Sequence, residues 1–115
     1  MDMHKQEWSK VSDEMISIDA IRNLYSPSSN YRVSPTKYEP RAIFPIVIGH
    51  PLTVYVVSGG CKYRLDGQEL TLRSGDFSSF AKGSYEFEVL GDEEVQIVTV
   101  FQLPNMVKND DLGHP

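Results

Sequence analysis

One cysteine and three histidines in 115 residues, with no long apolar run and no cluster of Lys or Arg, remove several classes of protein at once. The lone thiol, Cys61, cannot close an internal disulfide, so the chain is not a stapled secreted scaffold. Cys61 lies in a strand-like run, where a free thiol is expected to behave as a small buried hydrophobe. The apolar stretches fall far short of the roughly 20 residues that span a bilayer as a helix. A net charge of −5 argues against a nucleic-acid partner, because affinity for a polyanion comes mainly from Lys and Arg. The opening residues, MDMHKQEWSKVSDE, are polar where a secretory leader would be apolar, so the expected location is cytoplasmic. There is no Gly-x-Ser-x-Gly elbow, no phosphate-cradling glycine loop and no pair of carboxylates at recognisable spacing. Glu93-Glu94 and Asp110-Asp111 read as solvated charges.

What is present is a series of short strand candidates divided by turns. An apolar content of 40% is enough for one core, and 115 residues are too few for two ordinary domains. Residues 1–13 have no periodic apolar face and are expected to form a flexible tail. Ile16 and Ile18 alternate with Ser17 as in a short strand, and Asp19 can cap a brief helical turn through Ala20, Ile21 and Leu24. Ser26 to Asn30 has loop chemistry. Strands are then expected over residues 31–38, 42–48, 52–57, 61–65, 69–72, 77–80, 84–90 and 95–103. Pro35 and Pro45 restrict the first two to edges or breaks. Asp66-Gly67 between alternating runs is a hairpin signal. From Pro104 the alternation is lost, and residues 104–115 read as a loose extension. Turns every 8–12 residues indicate a sandwich or barrel over residues 14–103.

Alternation also assigns faces. Tyr85, Phe87 and Val89 should point inward, opposite Ser84, Glu86 and Glu88. Likewise Cys61, Tyr63 and Leu65 oppose Lys62 and Arg64, which should meet carboxylates of neighbouring strands on the outer surface. Residues 52–57 and 97–101 are apolar on both faces and need a second covering layer. A homodimer contact is the preferred cover; the alternative is Ile16, Ile18 and Leu24 of the same chain.

From Leu52 to Phe101 the order of features resembles the cupin family. An apolar strand is followed by Ser58-Gly59-Gly60, an Asp-Gly hairpin, Leu70-Thr71-Leu72-Arg73-Ser74-Gly75-Asp76, then Phe80-Ala81-Lys82-Gly83. The segment Lys82 to Val89 is similar to the corner of ureidoglycolate- and ethanolamine-utilisation cupins, with Ala81 in place of the usual proline. The resemblance implies a cupin-like double-stranded β-helix, or jelly-roll barrel, so the expected all-β fold is that barrel with the short N-terminal strand and helical turn read above. It also implies a metal site of His-x-His, Glu and a later His, little of which survives. His50 falls near the second histidine, Ile48 takes the first position, and Leu52 or Thr53 stands where the glutamate belongs. The late histidine falls on Glu86 in one register and on Tyr85 in a register one residue shorter. The shorter one is preferred because Tyr85 shares the apolar face.

With so few donors, no metal and no cofactor are expected. For His50 to bind a metal, Glu39, Glu86 or Cys61 would have to complete the set. The expected binding residues are instead His50, Tyr63, Tyr85 and Phe87, an aromatic lining with a polar rim for a small polar organic ligand. Phe44, Tyr55 and Arg41 are further candidates. Ordinary core packing competes with this lining for the same residues. The expected function is a metal-free, small-molecule-binding or accessory and regulatory domain. Two alternatives stand beside it: a degenerate metallo-cupin enzyme (isomerase, lyase or oxygenase) using His50 and Glu86, and a structural partner protein assembling through its apolar strands.

Overall fold

A computed structural model describes residues 3–25 and 30–103. Among the described residues nine strands and one short α-helix follow in order: β1 (Gln6–Glu7), α1 (Ile18–Leu24), β2 (Tyr31–Tyr38), β3 (Ile43–Ile48), β4 (Leu52–Ser58), β5 (Gly60–Leu65), β6 (Gln68–Arg73), β7 (Asp76–Phe80), β8 (Gly83–Val89) and β9 (Val95–Gln102). They form two antiparallel sheets, one ordered β1-β7-β4-β9-β2 and the other β3-β8-β5-β6. From β2 to β9 consecutive strands switch between sheets, except at the β5–β6 hairpin, which is the wrapping of a jelly roll. Residues 26–29 of the expected loop and residues 104–115 of the expected extension lie outside the described residues.

The strands sit where alternation and turn chemistry put them. Asp66 and Gly67 both have positive φ, 50° and 81°, the pair that a two-residue type I′ hairpin requires. Pro35 does not break β2, nor Pro45 β3, because both strands are sheet edges. Their orientation explains the tolerance. The Val89 N–H donates to the Ala42 carbonyl, and the Leu103 N–H to the Asn30 carbonyl. Even-numbered residues of both edge strands therefore turn their backbone groups toward β8 and β9. Pro35 and Pro45, being odd, place their missing N–H on the free edge, where no ladder bond is lost.

Between the sheets lies the larger core. It holds Ile48, Val54, Val56, Cys61, Tyr63, Leu72, Phe80, Tyr85, Phe87, Val89, Val95 and Ile97. Tyr85, Phe87 and Val89 point inward as the alternation requires. Arg64 and Lys62 face outward: Arg64 reaches Glu69, Glu86 and Glu88, each at 2.7 Å, and Lys62 approaches Glu69 at 3.5 Å.

The N-terminal segment departs from expectation. Residues 3–13 are not loose against the fold. Gln6 and Glu7 pair with Phe77 and Asp76, and a turn of 3-10 helix at Trp8–Lys10 buries Trp8 to 3% exposure. The Trp8 N–H donates to the Gly75 carbonyl, and its Nε1–H donates to the Glu14 carbonyl at 2.8 Å. Ile16 to Ile18 is not a strand, and the helix cap is Ser17 rather than Asp19. The Ser17 hydroxyl accepts from the Ala20 N–H at 3.0 Å, satisfying a first-turn donor, and Asp19 stands inside the first turn. The i, i+3 spacing of Ile18 and Ile21 prevails over the two-residue alternation because it lays both on one helix face.

This segment is the covering layer that β4 and β9 need. Trp8, Ala20 and Ile21 pack with Tyr55, Phe77, Val98 and Val100, joined by Ile16, Ile18, Tyr25, Val33 and Val57, on the outer face of the β4–β9 sheet. The preference for a homodimer contact on that face is thereby corrected: the same chain fills it. Leu24, expected among the covering residues, remains 49% exposed.

Candidate functional site

The structure brings three of the four expected binding residues together and leaves the fourth outside. Tyr63 on β5 and Tyr85 and Phe87 on β8 are 1%, 2% and 0% exposed. Tyr63 lies edge-on to Tyr85 at 6.4 Å and to Phe87 at 5.1 Å. Phe80 closes on Tyr63 at 4.4 Å and on Tyr85 at 5.5 Å. On the other side Phe87 meets Tyr38 at 5.0 Å and Phe44 at 5.3 Å. These are offset and edge-to-face contacts of a packed aromatic cluster. The Tyr85 hydroxyl donates to the Ala81 carbonyl at 2.7 Å. Among the described residues no buried side-chain nitrogen or oxygen lacks a hydrogen-bond partner, so none waits inside the barrel for a ligand.

His50 follows β3 in an exposed turn. Its ring meets Phe101 at 4.5 Å, on β9 of the opposite sheet. Of the other candidates, Phe44 belongs to the interior cluster and Tyr55 to the outer one. Arg41 is exposed, has φ 65° and pairs with Asp92. Glu39 is exposed.

The residues at the positions of a cupin metal site do not fit a metal. Ile48 is buried in the core at the first histidine position, and Tyr85 faces inward at the last one. Glu86, the ligand of the competing register, is on the outer face, hydrogen-bonded to Arg64. Cys61 is fully buried, and burial pushes its thiol up to about 12. No group of three or more His, Cys, Asp or Glu among the described residues could hold a metal ion.

Acid–base chemistry meets a similar obstacle. Burial raises the Tyr85 phenol above its ordinary value. Tyr63 is raised well above it, first by burial and then by the nearby Cys61 and Tyr38. Tyr55 is raised by burial and by its 2.5 Å hydrogen bond with the Tyr25 hydroxyl. All three stay protonated at neutral pH, whereas a general base needs a pKa near the working pH.

The open concavities lie elsewhere. One, of about 720 Å³, is formed by Gly59, Gly60, Lys62, Thr71, Arg73, Ser74 and the turn Leu90 to Glu93. Another of similar volume lies between the N-terminal segment and the β6–β7 turn, lined by Glu7, Trp8, Asp13, Glu14 and Asp76 among others. A smaller one, about 180 Å³, touches Tyr25, Tyr31, Leu52 and Phe101. None is lined by His50, Tyr63, Tyr85 or Phe87. Periodicity missed the first because its residues come from three turns distant in sequence.

No family model matches the sequence, and no curated protein matches it. Solved structures do. The chain is similar to ethanolamine utilization protein Q of Salmonella typhimurium, with TM-score 0.55 and 21% identity over 66% of this chain. It spans 59% of that protein's length. It is also similar to a cupin-2 domain protein of Shewanella frigidimarina, with TM-score 0.54, 18% identity and coverage of 76% and 93%. The cupin-2 domain of an XRE-family transcriptional regulator from Enterobacter cloacae gives TM-score 0.57 and 16% identity, over 89% of this chain and 97% of that one. At these identities the likeness establishes the fold. The chain is a small cupin-fold domain. No helix among the described residues is long and apolar enough to cross a membrane.

Proposed function

We propose that this is an accessory or regulatory cupin-fold domain that performs no metal-dependent chemistry and responds to a small polar molecule in the cytoplasm. The observation that carries the reading is the aromatic plug. Tyr63, Phe80, Tyr85 and Phe87 fill the interior where a catalytic cupin needs room for a metal and a substrate. Ile48 stands where the first ligand would be. The cupin-2 domain of the Enterobacter regulator, matched over nearly its whole length, supports a domain of this size working as a module of a larger regulatory system. In this reading the plug stabilises the barrel, and recognition belongs to the surface clefts.

Elemental analysis of protein purified without chelator tests the proposal. The expected result is no stoichiometric iron, manganese, nickel or zinc. Stoichiometric metal that disappears in a His50→Ala variant would restore the metallo-enzyme reading.

A further inference from the structure

The cleft beside the β4–β5 turn combines charges of both signs, and backbone packing holds its walls in place. Gly59 has φ +80°, and a Cβ there would stand 2.5 Å from the Glu94 carbonyl oxygen and 2.9 Å from the Val95 Cα. The β4–β5 turn therefore rests directly on the β8–β9 turn, a contact only glycine permits. The Leu90 N–H donates to the Gly60 carbonyl at 3.0 Å, and the Ser74 hydroxyl donates to the Val57 carbonyl at 2.7 Å. Three turns are thus tied into one end of the sandwich.

Cations line one wall. Gly60 is the cross-strand partner of Arg73, and Lys62 that of Thr71. With no side chain at Gly60, the Arg73 guanidinium lies over the sheet, its Nη1 3.4 Å from where a Cβ would be. Asp92 and Glu93, on the β8–β9 turn, line the same cleft. On the outer face of β5 and β6, Arg64 and Lys62 are already neutralised by glutamates, and Asp92 is engaged by Arg41. Arg73 and Glu93 have no ion pair among the described residues. One cation and one anion without an ion pair thus share a cleft of about 720 Å³, a volume suited to a small metabolite.

We propose that this cleft seats a small zwitterion, its carboxylate on Arg73 and its ammonium group on Glu93. A guanidinium holds a carboxylate by paired N–H donors, and a carboxylate holds an ammonium by charge-assisted hydrogen bonds. The site gives the responsive-module reading a chemical class of ligand and rests on that reading. Metal content tests the plug and is silent about the cleft, so the two can fail separately.

The test is an amide NMR titration of the full chain with 6-aminohexanoate, with acetate and butylamine as one-ended probes. At about 20 mM ligand, a concentration suited to a millimolar Kd, shifts are expected at Gly59, Gly60, Arg73 and Gly91. Arg73→Gln and Glu93→Gln, both substitutions of exposed side chains, should each weaken binding at least about fivefold, roughly the loss of one charge-assisted contact. Acetate and butylamine should each bind more weakly than the two-ended molecule. Silence at these amides, equal binding of acetate, or unchanged titration of either variant would overturn the proposal.

Discussion

The domain has two hydrophobic clusters on opposite faces of the same strands, and they are built differently. The inner one is closed by a second sheet. Its side chains come from strands on both sides, so Tyr63, Phe80 and Phe87 meet neighbours in every direction. The outer one is closed by a segment containing only a two-residue strand, a 3-10 turn and a seven-residue helix. The difference is one of cooperativity. Losing the inner cluster means separating the sheets, whereas the outer can be exposed by lifting residues 3–25. Local opening of this kind takes less free energy than global unfolding.

Truncation of the two central aromatics breaks the comparison most directly. Phe87→Ala should destabilise the domain by about 3–5 kcal/mol, through lost burial and a cavity that the β-sandwich cannot close. Trp8→Ala should cost less, about 2–3 kcal/mol, because the segment can detach without opening the sheets. Urea unfolding measures both. The Trp8 variant should also self-associate in light scattering, since Tyr55, Phe77, Val98 and Val100 then form an uncovered apolar face. Equal losses in the two variants, with no self-association, would make the clusters one cooperative unit.

Alkaline titration sharpens the contrast from the inner side. Cys61 has an ordinary value of 9.0 and is held at about 12 by burial in the folded chain. Its folded pKa is raised, so its contribution is intact below pH 9. It falls as pH rises, because the unfolded chain releases the proton first. The expected slope approaches roughly 1.4 kcal/mol per pH unit, the linkage value for one proton. In Cys61→Ala the decline should begin only above pH 10, where the unfolded tyrosines ionise. Stability measured against pH in both proteins checks this, and coincident curves would remove Cys61 from the account.

The smallest effect belongs to the outer cluster. Tyr55→Phe removes the hydroxyl bonded to Tyr25 and should destabilise by about 1 kcal/mol or less, because half-buried Tyr25 can turn to water. A larger loss in urea unfolding would mean that the hydroxyl pair, more than the rings, docks the helix.

The fold is most legible in the sequence where the physics is local. Strand alternation put Tyr85, Phe87 and Val89 inside and Lys62 and Arg64 outside, because successive side chains of a strand must alternate. The two prolines marked edge strands because a missing N–H is harmless only there. Periodicity failed for residues 3–18. Trp8 is the only Trp, Tyr or Phe in residues 3–18, and a 3-10 turn buries it without any repeating apolar pattern. The site was legible in part: Tyr63, Tyr85 and Phe87 do converge, but a face assignment cannot tell a lined cavity from a filled one. Filling depends on Phe80, Tyr38 and Phe44 arriving from other strands.

Composition and pattern alone determined an all-β sandwich with a donor-poor interior, since the strand period, the turn residues and the count of histidines are properties of the chain itself. Tertiary structure decided that the doubly apolar strands are covered by their own N-terminal segment, and that Arg73 and Glu93 line one cleft. Both outcomes depend on how distant segments are brought together in space, which residue order along the chain does not record.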